Sequence, residues 1–144
     1  MRKNLIVLLA TGIGLGLFPK APGTFGTILG LVLAVIFPDN LYLVVAVSLL
    51  GVWISQEAEK ILKQHDSPKI VIDEIAGYLI AAFNWHGYYL LAAFVLFRIL
   101  DILKPAPIRQ MQKLPGGIGV MADDLAAGLL TNLILWLTTW FIAL

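Results

Sequence analysis

What limits the fold of this chain most is its division into apolar runs. Helix-breaking or polar stretches separate six of them, at roughly 4–18, 24–37, 41–55, 70–83, 88–103 and 122–143. Read as helices, most reach about 21–24 Å, against a bilayer hydrocarbon core of about 30 Å. Only the last is comfortably long enough to span it. The others can span if their ends continue into polar sequence or the bilayer thins locally, and the first can be half inserted. Composition decides between a bilayer and water as the surroundings. Hydrophobic residues make up 60% of the chain and charged residues 13%, whereas soluble domains have about 45–50% and about 25%. Too little polar surface is left to cover a water-soluble globule. The expected fold is all-α: a compact, membrane-embedded bundle of about six short helices in a single domain, 1–144. A net charge of +1 gives no electrostatic reason to expect nucleic acid as a partner, and the absence of Cys excludes disulfides, thiolate metal sites and a Cys nucleophile. The N-terminal basic residues and apolar run look like a signal peptide, but "FPKAPGTFG" offers no small-x-small cleavage site, so the segment is expected to stay in the mature protein.

Pro38–Asn40 and "NWHG" (84–87) read as short turns. "EAEKILKQHDSPK" (57–69) reads as a helix extension followed by a loop, and "KPAPIRQMQKLPGGIG" (104–119) as the longest polar connection. Helices joined by short loops run antiparallel. The start of the fourth run (Asp73, Glu74), the end of the fifth (Asp101) and the start of the sixth (Asp123, Asp124) then share one end of the bundle. Five of the nine acids converge there. Lys20, Lys60, Lys63, Lys69, Lys104, Arg109 and Lys113 fall in loops at the same end, with Arg98 one turn inside, while Arg2 and Lys3 are expected at the other. The positive-inside rule makes the acid-bearing end cytoplasmic.

"IDEIAG" (72–77) and "ADDLAAG" (122–128) share a design, an acidic pair followed by small residues. Neighbouring helix positions point about 100° apart, so one acid of each pair can face the interior. Gly77, Ala127 and Gly128, one turn on, let another helix come close. First-turn capping could account for one acid per helix, but poorly for five that converge around an arginine. Arg98 and Asp101 are three apart and can pair, either as a structural ion pair or with Arg98 serving an anionic ligand. Clustered carboxylates with no Cys and only two His select a hard cation, Mg²⁺ or Mn²⁺, whose charge would make the close acids tolerable. His65 and His86 are scattered, and His86 sits in a far-end turn. The expected principal ligands are Asp73, Asp101 and Asp123, with Glu74 and Asp124 as ligands or supports. In "FPKAPGT" (18–24), Gly23 and Thr24 at a helix start could receive an anion, with Lys20 adding charge.

Four motifs, "PKAPGTFGT", "IVIDEIAG", "FRILDILKPAPI" and "GGIGVMADDLAAG", resemble in this order the phosphatidylglycerophosphatase A family of bacterial lipid phosphatases, over about residues 12–130. The resemblance implies Mg²⁺-dependent hydrolysis of phosphatidylglycerophosphate to phosphatidylglycerol in the bacterial inner membrane. All-helical, water-soluble relatives also exist. The matching acids are Asp73, Glu74, Asp101, Asp123 and Asp124, and Pro22, Gly23 and Thr24 match in the loop. Arg98, Lys104 or Lys20 would hold phosphate oxygens, with Arg109 on the lipid's diester. The nucleophile is either water activated by the metal or one of the carboxylates. Two other classes compete, a membrane cation transporter or channel subunit using intramembrane carboxylates, and an assembly factor whose charges only pack helices. A transporter wants acids at several depths, whereas these share one end.

Overall fold

The computed structural model describes residues 2–143. These form seven α-helices and a 3₁₀ turn, with no strand among the described residues: α1 (Arg2–Ala10), the 3₁₀ turn (Leu15–Leu17), α2 (Pro22–Ile36), α3 (Leu41–Leu62), α4 (Ile72–Ala81), α5 (Tyr88–Leu103), α6 (Ala106–Met111) and α7 (Gly116–Ile142). The boundaries have local causes. Pro22 opens α2 with its φ already helical. The Asn40 side chain accepts the Leu43 amide at 2.9 Å and caps α3. α5 stops where Lys104 turns left-handed just before Pro105.

α4 is the centre of the molecule, with eight of its ten residues buried. Its closest partner is α7, and the two cross at Gly77 and Gly128. A Cβ on Gly77 would stand 2.5 Å from the Asp124 carbonyl oxygen, and one on Gly128 would collide with the Gly77 carbonyl. Backbone therefore lies on backbone, which only glycine allows. α2, α3 and α5 surround this pair, and Gly30 of α2 sits against Tyr78 of α4. At the end away from the acids, Asp39 joins the two turns, accepting the Asn84 amide at 2.9 Å and pairing with His86 at 3.0 Å. Asn132 of α7 donates to the carbonyls of Ile80, Ala81 and Phe83, which satisfies the end of α4 inside an apolar layer where water is scarce.

This is a membrane protein by its surface. α3 and α7 are long and apolar enough to cross a bilayer, yet only 22% of each apolar window is buried within the molecule, so neither is the core helix of a soluble fold. Leu49, Leu129, Trp136 and Phe141 are among the large apolar side chains that face outward.

Three sequence expectations change. The first run does not form one helix over 4–18: it breaks at Gly12 and Gly14, which take positive φ, and only the part up to Ala10 is α-helical. Arg2 and Lys3 do not lie at the far end. α1 lies along the acid-bearing end, with Arg2 and Lys3 beside Glu57 and Lys60 of α3 and Lys63 just after it, and with the Ala10 carbonyl accepting the Val71 amide at 2.8 Å. Such a short helix cannot cross the bundle. The 104–119 segment is not a plain connection either. It holds α6, anchored by buried Ile108, and the first turn of α7, which begins at Gly116. Asp123 and Asp124 therefore sit about two turns inside α7, beyond the reach of capping.

Candidate active site

The Gly77–Gly128 crossing sets the geometry of the acids. Asp73 lies one turn before Gly77 and Asp124 one turn before Gly128, so helices in backbone contact at the glycines hold these acids face to face. Asp73, Glu74 and Asp124 each place a carboxylate oxygen within 4.8 Å of the others. Asp73 is 7% exposed and Asp124 2%. Asp73 Oδ1 and Glu74 Oε2 are buried with no hydrogen-bond partner. Three carboxylates this close, two buried and Glu74 half-buried, repel one another, and unpartnered carboxylate oxygens are costly. Both features fit a hard divalent cation bound between them, and the oxygen-only donor set fits Mg²⁺.

The other two acids stand beside this trio with partners of their own. Asp101 Oδ2 accepts from Arg98 Nη1 and lies next to Asp124. Asp123 Oδ2 accepts from Lys104 Nζ at 2.5 Å, while its buried Oδ1 has no partner. The sequence makes Asp101 and Asp123 principal ligands; the tightest cluster instead contains Glu74 and Asp124 beside Asp73. Adjacent helical residues diverge, and it is the second acid of each pair, with Asp73, that turns inward. Burial alone would depress Lys104. The hydrogen bond that Lys104 donates to Asp123 and the charges of Asp123, Asp124 and Asp101 outweigh it and hold the ammonium above its usual value.

The first turn of α2 closes the site. A Cβ on Gly23 would meet Glu74 Oε1 and Arg98 Nη1, so the bare glycine backbone abuts both groups. Thr24 is less available than expected, because its amide already bonds the Ala21 carbonyl at 3.0 Å. Arg98 Nε is buried and unpartnered, leaving a donor for a ligand. Lys20 and Arg109 are exposed, Lys20 before α2 and Arg109 on α6. Two residues passed over in the sequence also belong to this end. Asp66 takes Gln112 Nε2 at 2.5 Å, tying the α3–α4 loop to the segment before α7, and its charge lies near Asp123. The Asp66 amide in turn donates to Glu59, which also pairs with His65 at 2.6 Å. Nothing in their sequence surroundings marks Asp66 or Gln112 as partners.

A family model described as Phosphatidylglycerophosphatase A matches residues 8–139. A Bacteroides thetaiotaomicron protein, named provisionally as a phosphatidylinositol-3-phosphatase, is 35% identical over 96% of each chain. A Haemophilus influenzae protein named phosphatidylglycerophosphatase A is 41% identical, over 88% of this chain and 83% of its own. An Escherichia coli protein of the same name is 39% identical, over 90% of this chain and 80% of its own. No solved structure matches significantly.

Proposed function

The chain belongs to the phosphatidylglycerophosphatase A family, and from that premise we propose that it hydrolyses the terminal phosphomonoester of phosphatidylglycerophosphate, with Mg²⁺ as cofactor, at the cytoplasmic face of a bacterial inner membrane. The observation that carries this reading is the close trio of carboxylates, two of them with buried, unpartnered oxygens, beside Arg98 at one end of a membrane bundle. A lipid phosphate can reach that end while its acyl chains stay in the bilayer.

Asp73, Glu74 and Asp124 would hold the metal. Bound there, Mg²⁺ would offset the carboxylate charge and polarise a phosphate oxygen. Arg98 supplies a fixed positive group beside the trio. Its pairing with Asp101 and its contact with Gly23 limit its motion, so it can meet charge developing on the phosphoryl oxygens with little reorganisation. Lys104, held protonated by Asp123, offers a second cation at the rim. Gly23 lets Glu74 and Arg98 lie against the start of α2, where any side chain would press on both. The leaving group is a glycerol alcohol that remains on the lipid.

The charge distribution supports this side of the membrane. All ten Lys and Arg residues fall at the acid-bearing end once α1 is placed there, and the positive-inside rule favours the cytoplasm for that end.

The similarity to the Bacteroides protein favours a second reading, in which phosphatidylinositol 3-phosphate is the substrate. Both lipids present a phosphomonoester at headgroup level. Phosphate release by the purified protein, measured with each lipid in Mg²⁺ and in chelator, separates the readings. Release from phosphatidylglycerophosphate alone, abolished by chelator, is expected. Release from the inositol lipid alone would replace the substrate, and no release from either would end the phosphatase reading.

A further inference from the structure

The turned-back α1 builds a second feature at this end, apart from the carboxylate layer. Between α1 and the last turns of α3 lies a groove of about 400 Å³. Arg2, Lys3, Lys60 and Lys63 line it, opposed by Glu57 alone, and Ile6 and Ile61 give it an apolar wall. Lys60 is occupied by Glu57 at 2.6 Å. Among the described residues no carboxylate lies within ion-pair distance of Arg2, Lys3 or Lys63. None of the acids Asp73, Glu74, Asp101, Asp123 or Asp124 lines the groove.

We propose that this groove binds the phosphate headgroup of an anionic phospholipid, at a site separate from the catalytic one. Bases gathered in a concave site, with a single acid among them, call for an anion. The surroundings select a lipid rather than a soluble anion. α1 buries Ile6 and Ala10 against the bundle and turns Leu5, Leu8 and Leu9 outward. A helix with an inward anchor, an outward apolar face and terminal bases lies in the interface, at headgroup depth. Acyl chains can then run down beside these leucines while the phosphate meets the bases. Trp53, exposed and with its ring 6.0 Å from the Arg2 guanidinium, stands beside the groove, within reach of such chains. A phosphodiester carrying one negative charge matches the site, and its glycerol fits against Ile6 and Ile61. Such a site would keep anionic lipid beside the enzyme independently of turnover, so it does not rest on the proposed reaction.

The test uses Trp53 as the reporter. Replacing Trp85, Trp136 and Trp140 with Phe leaves it as the single tryptophan of the full chain. The protein is placed in phosphatidylcholine vesicles containing a small, constant fraction of acyl-brominated phosphatidylglycerol or acyl-brominated phosphatidylcholine, and quenching is compared. Stronger quenching by the anionic lipid is expected. Arg2→Gln, Lys3→Gln and Lys63→Gln should each lower the anionic preference about fivefold, the effect of one base at an anionic surface. Glu57→Gln should raise it, a gain that a misfolded protein cannot mimic. Equal quenching by both lipids, or an anionic preference that survives the triple base variant, overturns the proposal. So does a preference abolished by millimolar inorganic phosphate, which would make the groove a site for the free ion.

Discussion

Gly77 is the position at which one methyl group should disable the site without dismantling the fold. In Gly77→Ala the new Cβ would stand 2.5 Å from the Asp124 carbonyl oxygen and 2.8 Å from Phe97 Cε2. Ordinary contact begins near 3.4 Å, so α4 and α7 must part by about 0.9 Å, and the first obstacle is backbone, which cannot rotate away. That movement occurs one turn from Asp73 on α4 and at Asp124 itself on α7, so it pulls directly on the spacing of the trio. The expected stability loss is modest, about 1–3 kcal/mol for an overpacked contact. The activity loss should be larger, about 100-fold in kcat, because a displacement near 1 Å among reacting groups costs that much. Gly30→Ala is the matched control. Its Cβ would lie 3.2 Å from its nearest neighbours, a deficit of only a few tenths of an ångström, and it touches Ile75 and Tyr78 rather than the acids. The assay is phosphate release from phosphatidylglycerophosphate in detergent, with melting temperature followed in parallel. A Gly77→Ala protein with wild-type kcat, or one impaired no more than Gly30→Ala, would refute the claim that this crossing positions the trio.

Asp73→Asn, Glu74→Gln and Asp124→Asn should each abolish turnover and raise the melting temperature measured in chelator, because each removes one of three closely spaced, mutually repelling carboxylates; a lower melting temperature in all three would contradict the repulsion. Arg98→Ala should lower kcat by about 100- to 1000-fold, whereas Arg109→Ala should mainly raise KM for the full-length lipid and spare glycerol phosphate, which lacks the diester; equal harm to both substrates removes Arg109 from the diester. Lys104→Met leaves Asp123 buried without a cation and should cost about 3 kcal/mol, read by denaturant unfolding. Because the folded protein holds Lys104 above its usual 10.5, the stabilisation from this pair is complete below that value and is lost as pH rises through the higher folded value; a loss between pH 7 and 9 would contradict the pairing. A Cys placed at Lys113 should resist an impermeant thiol reagent in intact cells and react in inverted vesicles, and the opposite pattern would reverse the orientation.

Much of this arrangement can be read without coordinates, for physical reasons that differ by element. The apolar runs that became α2, α3 and α5 lie between strong punctuation: Pro22, Pro38 with capping Asn40, and Gly87 with Pro105. Their expected and observed limits agree closely, and α3 continues to Leu62 as the helix extension expected from residue 57. The convergence of the acids follows from antiparallel alternation, and Gly77, Ala127 and Gly128 are legible as small residues that let another helix come close, though not that Gly77 and Gly128 meet each other. What escaped were features governed by tertiary contact. α1 turns back because Gly12 and Gly14 take positive φ after a helix too short to cross the bundle. α6 and the early start of α7 lie in a segment rich in Pro and Gly, where Ile108 against α7, and Gln56 accepting the Gly117 amide at 2.7 Å, outweigh local propensity. Which acid of each pair faces inward depends on helix rotation about the glycine crossing, and a sequence pattern alone does not set that angle. Hence the trio contains Glu74 and Asp124, while Asp123 turns to Lys104.

The central claim is that Asp73, Glu74 and Asp124 together hold the divalent cation. The most direct measurement is Mn²⁺ binding to the purified protein, followed by electron paramagnetic resonance, in the wild type and in Asp73→Asn, Glu74→Gln, Asp124→Asn and Asp123→Asn. Tight binding by the wild type, competition by Mg²⁺, and loss in each of the first three variants are expected, with binding retained in Asp123→Asn. Tight binding that persists without the trio, or that disappears only with Asp123, would contradict the claim.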